Sequence, residues 1–366
     1  YVYKMKKILF FSTTVLFVSS FIIILDFILS NTLLNSKSCY IYEKYYYELK
    51  KNCRGKEKFK KSFPTINIFT DNLGLRVSKK SNPKDIRKKN ILIFGDSFTY
   101  GTGLEYKESY AGLIEKELTD YNIYNFSISS YSPSVYLYKL NEAIKLDIKP
   151  KKIIIFLDLS DVLDEANRWI YDSTKHKVET KKSEENSHFK NNRFKQKNFI
   201  LLNEFASILN FNLRIIKSKL NNSFNKNQKA EKIMTTFQAS FTYKEINDLN
   251  KNYWKEKDLK AGLKKIELIF KRIENLSIKH DSELYLVIYP WAETLRFGQK
   301  AFNWSKFASK LCKEETCKLI DAIPEFEKYK KKDINWNNKL YFLNDVNFNK
   351  DGSKLLYQTI IEKISS

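Results

Sequence analysis

Ser97 stands in the run Gly95-Asp96-Ser97-Phe98-Thr99-Tyr100-Gly101, directly after the apolar stretch Ile91-Leu92-Ile93-Phe94. An apolar run that ends in a Gly-bounded turn predicts a buried strand delivering the Ser97 hydroxyl to the carboxyl edge of a sheet, where open α/β sheets place their ligands. A serine hydroxyl becomes a nucleophile when a neighbouring base takes its proton. A second chemistry-bearing run lies near the other end of the chain, Asp345-Val346-Asn347-Phe348-Asn349-Lys350-Asp351-Gly352. It offers a carboxylate and a carboxamide where a serine site would want a carboxylate and an imidazole.

Three other readings of these motifs fail on spacing. The nucleophile elbow of α/β-hydrolases needs Gly two residues after Ser, where this chain has Thr99. A Walker loop needs Gly-Lys before its hydroxyl residue, and a dinucleotide fingerprint starting at Gly101-Thr102-Gly103 meets Tyr106 at its third glycine. On its own, Gly95-Asp96-Ser97 also fits an ordinary strand-to-helix turn with a capping side chain.

Taken with the rest of the chain, these runs resemble the SGNH hydrolase family, also called GDSL esterases. Ile91 to Gly101 matches the family's nucleophile strand and turn. Asp345, Asn349 and Gly352 match its last block, Asp-x-His-x-Asn-x-x-Gly, with Asn347 at the histidine position. Asn125-Phe126-Ser127-Ile128-Ser129-Ser130 is similar to the second block, with Ser130 in place of a glycine whose N–H faces the oxyanion. Leu159-Ser160-Asp161 is similar to the third, with Ser160 in place of the oxyanion asparagine. The resemblance spans roughly residues 65 to 364. It implies a parallel sheet flanked by helices and a serine-ester chemistry without metal or organic cofactor. In that scheme Ser97 is the nucleophile and Asp345 orients the base. The N–H groups of Ser97 and Ser130, with Ser160, hold the oxyanion. The implied substrates are acylated cell-envelope glycans, for an esterase or O-acyltransferase. A non-catalytic glycan-binding or assembly protein on the same scaffold is the alternative.

Asn347 decides between them, because a carboxamide takes up no proton near neutral pH. Losing the base of a serine triad costs on the order of 10⁶ in turnover. Of the three histidines, His176 and His188 fall in a polar insert, either a source of a replacement base or a solvated loop, and His280 precedes a strand, at the edge opposite the site.

The elements that must position these residues alternate. Strands are predicted at Ile91–Phe94, Ile123–Phe126, Ile153–Leu157 and Leu284–Tyr289, and Lys318-Leu319-Ile320 reads as a further one. Helical spacing recurs in Tyr110/Leu113/Ile114/Leu118, in Leu137/Leu140/Ile144 and in Leu259/Leu263/Ile266/Phe270/Ile273. Such alternation implies an α/β fold, a parallel sheet covered by helices on both faces. We place an SGNH-like domain at 65–366, interrupted at 168–257. Within that insert, 172–197 has no apolar period and reads as a loop, and 199–220 is amphipathic, a candidate lid, packing helix or surface helix. Tyr289-Pro290-Trp291-Ala292-Glu293 leaves a strand at the candidate edge, so Trp291 is either a sugar-stacking wall or a core residue.

Lys4, Lys6 and Lys7 precede an uncharged stretch, Ile8 to Leu25, that continues past Asp26 to Leu29. This length just suffices for a spanning helix, and no small-residue cleavage site follows, which favours an uncleaved anchor over a signal peptide. Basic residues on the N-terminal side keep that end cytoplasmic. The expectation is a single-pass inner-membrane anchor at 8–29, a membrane-proximal linker at 37–64, and a domain in the periplasm or cell exterior. Cys39, Cys53, Cys312 and Cys317 form two local pairs, disulfide candidates for an exported chain. Free thiols remain the alternative; zinc is disfavoured because neither pair is Cys-x-x-Cys and no histidine lies close. The net charge of +23 is spread along all 366 residues. It forms no nucleic-acid motif, and we expect the membrane and an envelope polysaccharide as partners, with no nucleic acid.

Overall fold

The computed structural model describes residues 2–30, 38–42, 46–60, 63–79, 83–181, 201–202, 205, 241–242, 256–343 and 345–365. They fall into two compact units, Tyr1–Lys37 with Lys182–Ile233, and Ser38–Lys181 with Met234–Ser366. In the first, α1 (Val2–Leu29) contains a 20-residue stretch, Phe10–Leu29, apolar enough to cross a membrane and almost wholly unburied. Length and composition alone would suit an anchor or a signal sequence. Asp26 is its one acid; the carboxylate accepts hydrogen bonds from Ser30 Oγ and from the backbone N–H groups of Leu201 and Leu202.

The second unit is built on five parallel strands. β1 (Tyr40–Tyr42), β2 (Tyr47–Leu49), β3 (Arg54–Glu57), β4 (Ile66–Thr70) and β5 (Arg76–Val77) come first and lie outside the main sheet. The sheet itself uses β6 (Lys89–Phe94), β7 (Tyr121–Asn125) and β8 (Pro150–Leu157). After the hairpin of β9 (Trp169–Asp172) and β10 (Lys177–Thr180), β11 (Glu283–Ile288) and β12 (Lys318–Asp321) complete it. The order is β12-β11-β8-β6-β7, every neighbouring pair parallel. Chain direction across the sheet reverses between β6 and β8, so a ligand crevice is expected at the carboxyl ends of those two strands. The central strands are apolar on both faces, as a sheet covered on both sides requires. Ile91 to Phe94 and Ile153 to Leu157 are fully buried.

The helices follow the strands: α2 (Ser97–Tyr100), α3 (Tyr110–Glu117), α4 (Pro133–Lys145), α5 (Asp161–Asn167), α6 (Glu256–Lys279), α7 (Ala292–Phe297), α8 (Trp304–Leu311), α9 (Ile323–Lys332), α10 (Trp336–Leu340) and α11 (Lys350–Ser365). One group packs α3, α10 and α11 together, another α4, α5 and α6. Gly262 of α6 lies against α5 so closely that a Cβ there would sit 1.9 Å from the Val162 carbonyl oxygen. Lys152, buried in β8, donates to the Ile364 carbonyl at 2.8 Å and so ties the sheet to the end of α11.

Two expectations change here. Residues 38–60 are no linker. β1 and β2 form a hairpin, β3 joins β4 and β5 in an antiparallel sheet, and Cys39 and Leu49 are buried in the domain core. The reason is packing that a strand-by-strand reading does not capture: Tyr46 and Tyr47 lie against Tyr131 and Trp169, and Tyr47 donates to the Ser129 carbonyl. The start of the expected loop at 172–197 is the β9–β10 hairpin; its remainder, and the amphipathic 199–220 apart from residues 201, 202 and 205, lie outside the described residues. Disulfides close Cys39–Cys53 and Cys312–Cys317.

Candidate active site

β6 ends at Phe94, and the chain turns through Gly95 because a side chain there would strike the Thr99 hydroxyl. Asp96 caps α2 by accepting the Phe98 N–H at 3.0 Å, and Gly101 closes the helix in the left-handed conformation. Ser97, partly exposed, is the first helical residue; its hydroxyl donates to Asp96 Oδ2 at 3.2 Å. Arg76, fully buried, gathers the carbonyls of Tyr100, Gly101 and Leu104, a cation complementing the end of α2. Arg76 therefore braces the end of the nucleophile helix.

Ser160 follows β8. Its hydroxyl donates to Asp158 and lies 3.5 Å from Asp96 Oδ2. Asp158 also accepts the Ser160 N–H at 2.7 Å and the Trp291 Nε1–H at 2.8 Å. Asp161 accepts from the Asp158 N–H and from Tyr136 OH. Asp96, Asp158 and Asp161 are buried. Burial, and next the Asp158 carboxylate, push Asp96 well above the usual carboxylate range. Burial raises Asp158 as well, opposed by its Ser160 and Trp291 donors. Burial, then Asp96 and Asp158, raise Asp161, and burial takes Asp164 up to about 7 despite Arg168 beside it.

The last block is brought to this edge by rings. Phe348 packs edge-on against Phe98 at 4.9 Å and tilted against Tyr289 at 5.5 Å, while Phe98 and Tyr289 meet at 5.0 Å. Ser97 and Asn347 each precede one ring of this trio. Asp345 Oδ1 accepts both the Asn347 N–H, at 2.9 Å, and its Nδ2–H, at 2.7 Å. Asp345 Oδ2 accepts the Lys60 ammonium. Asn347 is 4% exposed and its Oδ1 finds no donor. Asn349 uses its side-chain oxygen to cap α11 at Asp351 and Gly352.

The remaining expected residues are placed as follows. Ser130 occupies the left-handed region at φ +62°, a conformation that suits glycine, and its carbonyl accepts Trp169 Nε1–H. Ser160 has its hydroxyl turned to carboxylates, so it is no free oxyanion donor. Trp291 is no exposed wall: it is 2% exposed and serves to hold Asp158. A buried indole needs an acceptor for its N–H, and Asp158 is that acceptor. His176 is exposed in the β9–β10 turn, His280 lies just before β11 at the far edge, and His188 is outside the described residues.

Sequence reasoning passed over four residues. Asp96 lies inside the first block and Asp158 directly precedes the third, and both were legible as polar residues at strand ends. Glu293, second residue of α7, is 3% exposed; apart from its own backbone N–H, neither carboxylate oxygen has a donor. Burial pushes it up to about 7, and the Asp345 charge adds to the rise. Lys60 carried no sequence signal, since it belongs to a lysine-rich stretch that only the fold brings to Asp345.

No family model and no curated protein matches this chain. Among solved structures it is similar to a catalytic mutant of the acetylxylan esterase Axe2 from Geobacillus stearothermophilus, at 11% identity and TM-score 0.40, covering 77% of this chain and 96% of that one. It is also similar to a lipolytic G-D-S-L protein from Veillonella parvula, at 9% identity and TM-score 0.40, covering 76% and 98%. A third is TesA, at 12% identity and TM-score 0.38, covering 75% and 98%. The fold class, five parallel strands flanked by helices, rests on the sheet order itself.

Proposed function

We propose that this chain is a membrane-anchored envelope protein whose carboxyl-edge site binds an acylated cell-envelope glycan and has lost efficient cleavage of its ester. One observation carries the reading. Asn347 spends its Nδ2–H on Asp345, as an imidazole N–H would, but its other end is a carboxamide oxygen that cannot carry a proton. The path from serine to base to carboxylate therefore stops at residue 347. The Ser97 hydroxyl is directed to Asp96 instead. The envelope assignment is supported by the apolar helix and by two disulfides, which persist in oxidising compartments. The glycan is the substrate class implied by the resemblance.

The retention of Ser97 and Asp345 favours a second reading, a slow esterase or O-acyltransferase. Hydrolysis of an aryl acetate by the full chain in detergent separates them. The parent should be slow, and Asn347→His should raise the rate at least about tenfold, about 1.4 kcal/mol of barrier, because imidazole can take the serine proton and return it to the leaving group. Ser97→Ala in that background should abolish the gain. Binding of an O-acetylated over a de-O-acetylated glycan by the parent, undiminished in Ser97→Ala, is the companion result. A parent that is fast and loses its rate in Ser97→Ala establishes the enzyme instead.

A further inference from the structure

Asp26 is the one acid in the apolar stretch Phe10–Leu29, and it is 3% exposed in a helix whose large apolar side chains, Phe17, Phe27 and Ile28 among them, are exposed. A carboxylate on a helix of this kind is costly in lipid unless donors meet it. Its donors come from the insert and from its own next turn. Asp26 Oδ1 accepts the Leu201 N–H at 3.0 Å, and Oδ2 accepts the Leu202 N–H at 2.9 Å. Ser30 Oγ, buried one turn on, donates to Oδ1 at 2.8 Å. Leu201, Leu202 and Phe205 are helical. Consecutive N–H groups of a helix turn to an outside acceptor in its first turn, where no helical carbonyl lies four residues back. Asp26 is therefore an N-cap supplied by a different helix.

Exposure and depth say what covers this junction. Leu201 is 47% exposed and Phe205 62%, and residues four apart share one face of a helix. The sequence continues their apolar series at Ile208, Leu209, Leu213 and Ile216. Asp26 stands three residues before Leu29, where the apolar stretch of α1 ends. That is about 4.5 Å of helix rise. Amphipathic helices lying on a bilayer bury their apolar face about 5–10 Å into the headgroup boundary. The cap thus lies at the depth where such a helix would rest, and the exposed faces of α1 and of Leu201 and Phe205 call for one continuous apolar cover.

We infer that Asp26 pins the insert to the bilayer surface, with Leu201 and Phe205 as a second lipid contact beside the span. The inference rests on the reading of α1 as a retained anchor, because removal of α1 would remove the cap. Of the three roles that the amphipathic pattern allows, lid, packing helix and surface helix, the contact with α1 favours the last. An acid in the span also gains a purpose: it satisfies two backbone donors that lipid could not.

The four native cysteines are paired, so a single added cysteine takes a bimane label without reductant. Phe205→Cys and, separately, Phe17→Cys are labelled in the full chain, which is placed in phosphatidylcholine nanodiscs. Lipid brominated near the headgroup should quench the label on Phe205→Cys. Lipid brominated near the chain ends should quench the label on Phe17→Cys. Asp26→Ala should lose most of the first quenching and keep the second. Asp26→Asn, whose side-chain oxygen also caps a helix well, should keep both. Because Asp26→Ala alters the span, Leu202→Pro is the second variant: it deletes one of the two donors and is tolerated in a first turn. It should weaken quenching on Phe205→Cys and leave Phe17→Cys as it was. Quenching on Phe17→Cys without any on Phe205→Cys overturns the second contact and leaves the anchor standing. Quenching on Phe205→Cys that neither Asp26→Ala nor Leu202→Pro reduces overturns the pin. No quenching at either label in the parent overturns the anchor, and the inference with it.

Discussion

A carboxamide at residue 347, where the resemblance implies an imidazole, keeps a donor on Asp345 and offers no acceptor that can take up a proton. The sequence made this legible, because the block around it keeps Asp345, Asn349 and Gly352 in place. What surrounds it was not legible: Glu293 reads as one more acid at a strand end until its burial is known. Its carboxyl is held at about 7 against an ordinary 4.5, with burial the main cause. A raised carboxyl means that the folded state binds the proton more tightly than the unfolded one. Stability is therefore fullest below about pH 4.5, falls as pH rises through the window to about 7, and levels off above it. The size is up to about 3 kcal/mol, from 1.36 kcal/mol per unit. Asp164 and the other raised acids titrate in the same direction, so the informative quantity is the difference between parent and variant. Glu293→Gln should be more stable than the parent at pH 8 by about 1–3 kcal/mol and should close that gap at acid pH, read from urea midpoints at the two pH values. An equal shift at both would assign the effect to packing and not to the proton.

At the level of elements, the sheet was readable because its central strands are continuous apolar runs, and the helices because their stripes keep the 3.6-residue period. Lys89–Phe94 and Glu283–Ile288 fall within a residue or two of where periodicity puts them. The antiparallel sheet was not readable. Arg54–Glu57, the sequence Arg-Gly-Lys-Glu, has no apolar alternation, and its strand character comes only from pairing with Ile66–Phe69. Tertiary context overrides local preference at such places. The same holds for close helix contacts, which leave no mark but a glycine. Gly262→Ala would set a Cβ 1.9 Å from the Val162 carbonyl oxygen and 2.9 Å from Val162 Cγ1. The neighbour is backbone, so α5 and α6 must part, at a cost of about 1–3 kcal/mol. Since α5 begins directly after Ser160, the shift should also weaken ligand binding at the edge. Gly298→Ala is the control: its Cβ meets nothing, and the strain lies in its backbone alone, whose φ of +84° with ψ of −164° is a conformation essentially reserved for glycine, so it should cost about 1–3 kcal/mol and leave binding alone. Loss of binding in both would mean that the edge responds to stability generally.

At the scale of the whole molecule, the proposed envelope location is the claim to test, and the two disulfides and the apolar helix are what support it. Cys39–Cys53 ties the hairpin of β1 and β2 to the start of β3 with a separation of 14 residues, and Cys312–Cys317 closes a loop of separation 5 between α8 and β12. By loop-closure entropy the first is worth about 3 kcal/mol and the second about 2. Cys39 and Cys53 matter twice, because their segment carries Lys60 to Asp345 and Tyr47 to the Ser129 carbonyl. Replacing that pair by serine should cost more than replacing Cys312 and Cys317, and should also loosen the contact at Asp345. The compartment is tested in intact cells with a membrane-impermeant thiol reagent. With lysines ahead of the span and the remainder beyond it, no cysteine should react until a reductant is added, and Cys53, half-buried where Cys39, Cys312 and Cys317 are buried, should then be reachable from outside the inner membrane. Cysteines that are free without reductant, or that react only after the inner membrane is opened, place the domain in the cytoplasm. That outcome would remove the envelope glycan from consideration while leaving the geometry at residue 347, and the chemistry it forbids, untouched.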